Sequence, residues 1–258
     1  MGLDSTDGSS LNLAHSLYSG SRAIFPTDPG TTIETSDDLQ LRNRHDVPEI
    51  PQVVLDLADK ELLVAFRDLQ QLCAILNAET ASGKRFPAAA FQIRISSTQS
   101  RLLRLQSLES SFAERLRLSL LAFLASTFQI SAADAPYPYL AGHYRESCIS
   151  LEISKPTSHS LTAWFLMIGA ISVFSPDEDW LLDHWRAEVP STATWVETRE
   201  GLKSILWIDA IHDQAGQELF EALACQDVGV TDRSHSRRYS SRAKLWASGW
   251  AGNTYEVS

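Results

Sequence analysis

Cysteine is scarce in this chain of 258 residues, and its three cysteines are far apart, at positions 73, 148 and 225. Their odd number and wide spacing exclude a disulfide framework, and no CxxC pair or Cys/His cluster has the spacing of a zinc site. We therefore expect buried thiols in a reducing compartment, no structural metal and no cofactor.

Catalytic signatures and long apolar runs are also lacking. The sequence contains no glycine-rich phosphate loop, no nucleophile elbow and no HExxH motif. Its longest apolar run, residues 163–173, is shorter than the roughly 20 residues that cross a bilayer, so we expect a core helix there. The net charge of −10 disfavours a broad contact with a phosphate backbone. We predict that the chain is not an enzyme and makes no specific contact with DNA.

Strand patterns are poor, because no alternating run is long and no Asn-Gly or Asp-Gly hairpin separates two β-rich segments. Apolar residues at helical spacing are plentiful. We predict an all-α, irregular bundle of seven to nine helices. The predicted helices cover about 53–78, 87–108, 111–128, 140–153 and 158–174, then one from Ser175-Pro176 to Pro190, one from Ser191 or Thr192 through Leu206, and a last one around 217–224.

The ends of the chain differ from its middle in composition. Residues 1–50 are rich in Gly, Ser, Thr, Asp and Pro, which is typical of a flexible leader. Residues 51–226 form the predicted helical domain, and residues 227–258 form a polar tail with a basic, serine-rich stretch. That stretch fits a nuclear import signal, a phosphate contact or a solvated tail. Its basic residues are Arg233, Arg237, Arg238, Arg242 and Lys244.

One group of polar residues could support chemistry. Asp209, His212 and Asp213 are spaced by three and four, so they share a helical face on which a carboxylate can orient an imidazole or bind a metal with it. The alternative is a helix C-terminus with a protonated histidine and solvent-facing aspartates. We favour that surface alternative because metal sites need three or four ligands. His212→Ala should then cost about a few tenths of a kcal/mol, unless His212 is a buried partner of Asp209.

Tryptophan is frequent, with seven residues, and four of them occupy apolar helical positions. We expect these four to anchor the core or the contacts between helices. A pocket between helices would instead indicate a small-molecule-binding protein or an enzyme. This second hypothesis places the pocket at Trp164, Trp180, Asp209 and His212.

Several segments together resemble a known family. In chain order they are Arg101-Leu102-Leu103, the apolar helix 164–174 with Gly169-Ala170 at its centre, Trp180-Leu181, Trp195, and the segment 202–209 followed by His212-Asp213 and Gly216. This order resembles the helical fungal-specific transcription factor domain, which lies C-terminal to a six-cysteine zinc cluster. The likeness covers roughly residues 53–225.

The resemblance implies a transcription-regulator-like effector or interaction domain that contacts other proteins, including a DNA-binding transcription factor. This chain has three scattered cysteines instead of six close ones, so no DNA-binding module is expected in it. We expect the chain to act as a co-regulator of a fungal gene set in the nucleus, or alternatively in the cytoplasm. The pocket hypothesis above is the alternative from a different functional class.

Overall fold

The computed structural model of the protein describes residues 47–84, 86–105, 108, 110–127, 137–150 and 158–225. Across these residues the chain forms nine helices and no strand, which confirms the all-α prediction. The helices are α1 (Gln52–Leu57), α2 (Lys60–Ala81), α3 (Ala88–Arg104), α4 (Ser111–Thr127), α5 (Pro138–Ile149), α6 (His159–Ser172), α7 (Asp179–Glu188), α8 (Trp195–Lys203) and α9 (Asp209–Cys225).

The first predicted helix is two helices in the structure, so its predicted continuity is wrong. The chain becomes extended at Ala58, and Asp59 then caps α2 by accepting a hydrogen bond from the backbone N–H of Glu61 at 2.8 Å. An aspartate at this position accepts from an amide that the helix itself leaves without a partner. The local capping energy therefore favours a new helix start over a continuous one.

The apolar stripe of α2 is buried as its spacing predicts. Leu62, Phe66, Leu69 and Cys73 are all 6% exposed or less. Gln70, a polar residue of the same helix, is also buried, since it is only 1% exposed. Its side-chain amide donates a hydrogen bond to a backbone carbonyl 135 residues later in the chain, a partner that helical spacing alone does not reveal.

Helices α4 and α6 form the centre of the bundle. Helix α6 packs against α4, α5, α7, α8 and α9, and α4 also packs against α2, α3 and α5. Every residue from 161 to 169 is buried, so the apolar run noted in the sequence is a core helix. Searched over the described ranges, no helix is long and apolar enough to span a membrane.

The start predicted for α7 at Ser175-Pro176 is wrong, because the helix begins at Asp179. The carboxylate of Glu178 organises the turn before it. This side chain accepts hydrogen bonds from the backbone N–H of Ser175 at 3.0 Å and from the indole of Trp180 at 2.6 Å. Two further bonds from Arg145 of α5, at 2.6 and 2.8 Å, fix the carboxylate in place. The turn is therefore set by a partner on another helix.

The electrostatics of Glu178 agree with this arrangement. Burial alone would raise the pKa of the carboxyl, but the hydrogen bonds from Arg145, Trp180 and Ser175 outweigh it and lower the pKa below its ordinary value. Glu178 therefore stays ionised and links α5 to α7.

The boundary between α8 and α9 also differs from the prediction. Helix α8 begins at a capping box formed by Thr194 and Glu197 and ends at Lys203. A short connection, residues 204–208, separates it from α9, which begins at Asp209. Asp209 and His212 therefore begin a helix, whereas the surface interpretation placed them at a helix end. That interpretation is wrong for His212, which is fully buried.

Candidate functional site

The site is built around the connection between α8 and α9. Three consecutive carbonyls there accept hydrogen bonds from side chains that are distant in sequence. Gln70 donates to Ile205 at 3.3 Å, Trp164 donates to Leu206 at 2.6 Å, and Asn77 donates to Trp207 at 2.9 Å.

Burial explains why these bonds are needed. Residues 205–208 are 2% exposed or less, and the carbonyls at the end of a helix have no partner within the helix. A buried carbonyl without a partner would cost about 1–3 kcal/mol. The polar side chains from α2 and α6 therefore make a buried connection possible in the core.

Asn77 serves both ends of this connection. Its side-chain N–H donates to the carbonyl of Trp207, and its side-chain oxygen accepts the backbone N–H of Asp209 at 2.9 Å. Asp209 is the first residue of α9, so Asn77 satisfies an amide that the helix leaves open. A residue of α2 therefore caps α9.

His212 lies one turn into α9, in the apolar interior. Its Nδ1 accepts the backbone N–H of Ile208 at 3.0 Å, and its Nε2 lies 2.9 Å from the hydroxyl of Ser126. The ring packs between Phe123 and Trp207, with ring centres 5.2 and 5.0 Å away. Because Nδ1 accepts, the single proton of the neutral ring is on Nε2 and is donated to Ser126.

Ser126 and His212 are as close as a catalytic serine and its histidine base. The hydrogen bond between them, however, runs from the histidine to the serine, which is the opposite of the catalytic direction. A histidine base must offer a lone pair to the serine hydroxyl. Here Nε2 carries the proton, and the hydroxyl of Ser126 donates a hydrogen bond to the carbonyl of Phe123 at 2.6 Å. Burial also lowers the pKa of His212 to about 3, since Asp213 opposes this effect only in part. The pair joins α4 to α9 and is not arranged for proton transfer.

Four charged residues join α8 to α9 beside this interior. Arg199 binds Asp213 through two hydrogen bonds of 2.8 Å, and its Nη2 also lies 3.0 Å from Asp209. Lys203 donates to the same oxygen of Asp209 at 3.0 Å. Two cations thus balance two carboxylates, and the bidentate geometry gives Arg199 a fixed orientation.

Trp207 completes the contact with Asp213. Its indole N–H donates to Asp213 at 2.7 Å. Burial alone would raise the pKa of Asp213, but the hydrogen bonds from Arg199 and Trp207 outweigh it and lower the pKa. The carboxylate therefore holds the buried tryptophan and the half-buried arginine together. We name the group of Asn77, Arg199, Trp207, Asp213 and His212 the Trp207 cluster.

The structure brings two of the four residues of the predicted pocket together and gives the other two different neighbours. Trp164 and His212 pack on the same ring, Phe123, at 6.3 and 5.2 Å. The side chain of Asp209 contacts Lys203 and Arg199 in the charged group described above. Trp180 lies in a separate aromatic group with Phe174 and His184.

The basic tail residues of the prediction, Arg233, Arg237, Arg238, Arg242 and Lys244, lie outside the described residues. Within the part of the chain that is described, no group of three or more His, Cys, Asp or Glu residues could hold a metal ion. Cys73 and Cys148 are buried thiols without a disulfide. Burial raises the pKa of both thiols, that of Cys148 to about 12, so both stay protonated at neutral pH.

Sequence reasoning missed Gln70, Asn77, Ser126 and Arg199 as partners of this site. A signal existed for two of them. Gln70 and Asn77 lie three residues before and four residues after Cys73, so they continue the buried stripe of α2. A polar residue on an apolar stripe predicts a buried hydrogen bond, although it does not name the partner.

Comparisons of the chain with protein-family models, with curated proteins and with solved structures found no match.

Proposed function

We propose that the chain is a regulatory interaction domain, similar to the effector half of fungal zinc-cluster transcription factors, and that it acts through contacts with other proteins. Several residues of the segments that carry this resemblance lie in the interior of an all-helical fold. Leu102, Trp164 and Trp207 are each 1% exposed or less. In such a fold these segments hold helices together, which is the role expected of them in a scaffold for partner binding.

The orientation of His212 carries the proposal. His212 has the composition of a catalytic group around it, because it is a histidine beside a serine and near two aspartates. Both of its ring nitrogens are bonded within the core, and burial lowers its pKa to about 3. A residue held in this way stabilises a fold, so we assign it a structural role within an interaction domain.

The proposed partners are other proteins, including a DNA-binding transcription factor that supplies the contact with DNA. The proposed location is the nucleus. The basic residues of the tail, with their neighbouring serines, are the proposed import signal. In this proposal the chain acts as a co-regulator.

The function can be tested by fusing the full chain to a DNA-binding domain of known sequence preference in fungal cells. We expect the fusion to change transcription several-fold from a reporter that carries the matching operator. A reporter without the operator is the first control. The second control is a fusion with Gly169→Leu, which should abolish the effect by unfolding the domain.

The proposal would be contradicted by a reporter signal equal to that of the DNA-binding domain alone, at equal levels of a folded fusion. Import is tested separately with a fluorescent fusion. Replacing the five basic tail residues with glutamine should move the fluorescence from the nucleus to the cytoplasm. An unchanged nuclear signal would remove the tail from the proposal.

A further inference from the structure

Charge is distributed unevenly along the folded part of the chain. Residues 47–174 contain eleven acidic and eleven basic side chains, so they are neutral overall. Residues 175–225, which include α7, α8 and α9, contain eleven acidic and only three basic side chains. The acidic character of the helical domain therefore comes entirely from residues 175–225.

The three basic side chains in this region, Arg186, Arg199 and Lys203, all have interaction partners. Arg199 binds both Asp209 and Asp213, and Lys203 binds Asp209. Two carboxylates further out have a weaker partner or a neutral one. Glu200 is 64% exposed and lies 3.4 Å from Arg199, and Glu221 accepts only a neutral amide from its own helix among the bonds described.

The outer side of α8 and α9 is also partly apolar. Val196 is 68% exposed, the largest exposed fraction among the large apolar residues described. Its neighbour Trp195 is half-buried and packs on half-buried Phe220 of α9, with ring centres 5.9 Å apart. Helices α8 and α9 are antiparallel, since Arg199 pairs with Asp213 while Trp195 contacts Phe220.

Helical geometry then places the apolar and acidic residues together. Val196 and Glu200 are one turn apart on α8, and Glu221 follows Phe220 on the side of α9 turned away from the core. We name this surface the α8–α9 face; it consists of Trp195, Val196, Glu200, Phe220 and Glu221. An exposed apolar centre with carboxylates around it fits a segment that combines aromatic and basic residues.

The same chain contains such a segment directly after α9. Residues 233–246 include five basic residues, together with Tyr239, Leu245 and Trp246. Arg233 is eight residues beyond Cys225, the last residue of α9, and an extended chain covers about 3.3 Å per residue. The tail can therefore fold back to Phe220, which lies only five residues before the end of α9.

We propose that residues 233–246 bind the α8–α9 face of their own chain, with basic side chains on the carboxylates and aromatic side chains near Val196. Each exposed ion pair contributes little on its own. The short connection gives the tail an effective concentration in the millimolar range, so several weak contacts suffice. This proposal does not depend on a role in transcription, because it concerns the isolated protein.

Limited digestion of the full chain with trypsin tests the proposal, because a bound tail is cut slowly. At low salt, cleavage after Arg237 and Arg238 should be several-fold faster in the variant Glu200→Gln, Glu221→Gln than in the wild type. A control variant, Glu61→Gln, Glu146→Gln, removes the same charge elsewhere and should match the wild type. At about 1 M salt the screening length is about 3 Å, and all three rates should agree.

Equal cleavage rates at low salt in all three proteins would overturn the proposal. Protection that increases with protein concentration would also overturn it, because the occupant would then be a second copy. A second measurement leaves the helices unmodified. In a variant with the five basic tail residues changed to glutamine, amide hydrogen exchange at 195–200 and 217–222 should be faster than in the wild type. Unchanged exchange there would contradict tail binding.

Discussion

The ring of Phe174 lies against the Cα of Gly169, five residues earlier in the chain. The backbone N–H groups of Val173 and Phe174 both donate to the carbonyl of Gly169 at 2.8 Å, so the chain turns back at the end of α6. A Cβ at position 169 would overlap this ring. The ring cannot easily move, because it also packs on Tyr144 and Trp180 at 4.9 and 5.2 Å.

Gly169→Ala should therefore destabilise the protein, although alanine is the better helix former. The overlap should cost about 1–3 kcal/mol, against a gain in helix propensity of about 1 kcal/mol. Gly142→Ala in α5 is the matched control, because a Cβ there meets open space, and it should be neutral or stabilising. Urea unfolding measures both variants. Equal stability of the two would show that Phe174 moves aside without cost.

His212→Ala should destabilise the protein by about 2–3 kcal/mol, which corrects the few tenths expected for a surface histidine. The substitution leaves a cavity beside Phe123 and Trp207 and removes the partner of the buried N–H of Ile208. The exposed His143 provides a control, because His143→Ala should change stability by less than about 0.5 kcal/mol. Similar effects of the two substitutions in thermal melts would place His212 outside the core.

The free energy of unfolding should decrease as the pH is lowered from about 6.5 to about 5. Burial holds the pKa of His212 at about 3 in the folded state, below the ordinary histidine value of about 6.5. In this pH range the unfolded state therefore binds a proton at His212, whereas the folded state does not. Stability is complete above pH 6.5 and decreases by up to roughly 1.4 kcal/mol per pH unit below it.

Carboxylates contribute little to this window, because Asp and Glu in the unfolded chain titrate at about 3.9 and 4.3. The variant His212→Asn keeps an acceptor for Ile208 but cannot take up a proton. Urea unfolding at pH 7 and pH 5 should show a smaller loss of stability for this variant than for the wild type. The same loss in both proteins would assign the pH dependence to other groups.

Asn77→Asp should destabilise the protein by about 1–3 kcal/mol at neutral pH. The new side chain can still accept the N–H of Asp209, but it presents a carboxylate oxygen to the carbonyl of Trp207 in place of a donor. Gln71→Glu makes the same chemical change on the exposed side of α2 and should have little effect. Equal unfolding midpoints for the two variants would contradict the bridging role of Asn77.

The sequence predicts best those elements whose pattern is local. The limits predicted for α4, residues 111–128, differ from Ser111–Thr127 by one residue, because an apolar helix is visible in its own composition. The positions Leu62, Phe66, Leu69 and Cys73 of α2 are buried at helical spacing for the same reason, and Leu76, which continues that spacing, is partly buried. Local periodicity is a property of each segment alone.

The break between α8 and α9 could not be predicted in this way. Leu202, Ile205 and Leu206 have helical spacing, so periodicity favours one continuous helix. The chain leaves the helix there because Gln70, Trp164 and Asn77 supply hydrogen bonds to three successive carbonyls. Two of these donors are about 130 residues away in sequence, and no local pattern contains that information.

The same reason explains the errors at the site. The spacing of Asp209, His212 and Asp213 correctly indicates a helix, but it does not reveal which of them is buried. His212 is enclosed because Phe123 and Ser126 of α4 lie against it, and both belong to a helix about 90 residues earlier. The chemical role of a polar residue depends on these tertiary neighbours.

The central claim is that His212 is a neutral, buried structural group and not a base. Nitrogen-15 NMR of the imidazole in the full chain, recorded from pH 7 to pH 4.5, tests it most directly. We predict the Nε2–H tautomer throughout, with no titration of His212 in this range, since burial lowers its pKa to about 3. A proton on Nδ1, or a titration near pH 6.5, would contradict the account and would restore the Ser126–His212 pair as a candidate catalytic site.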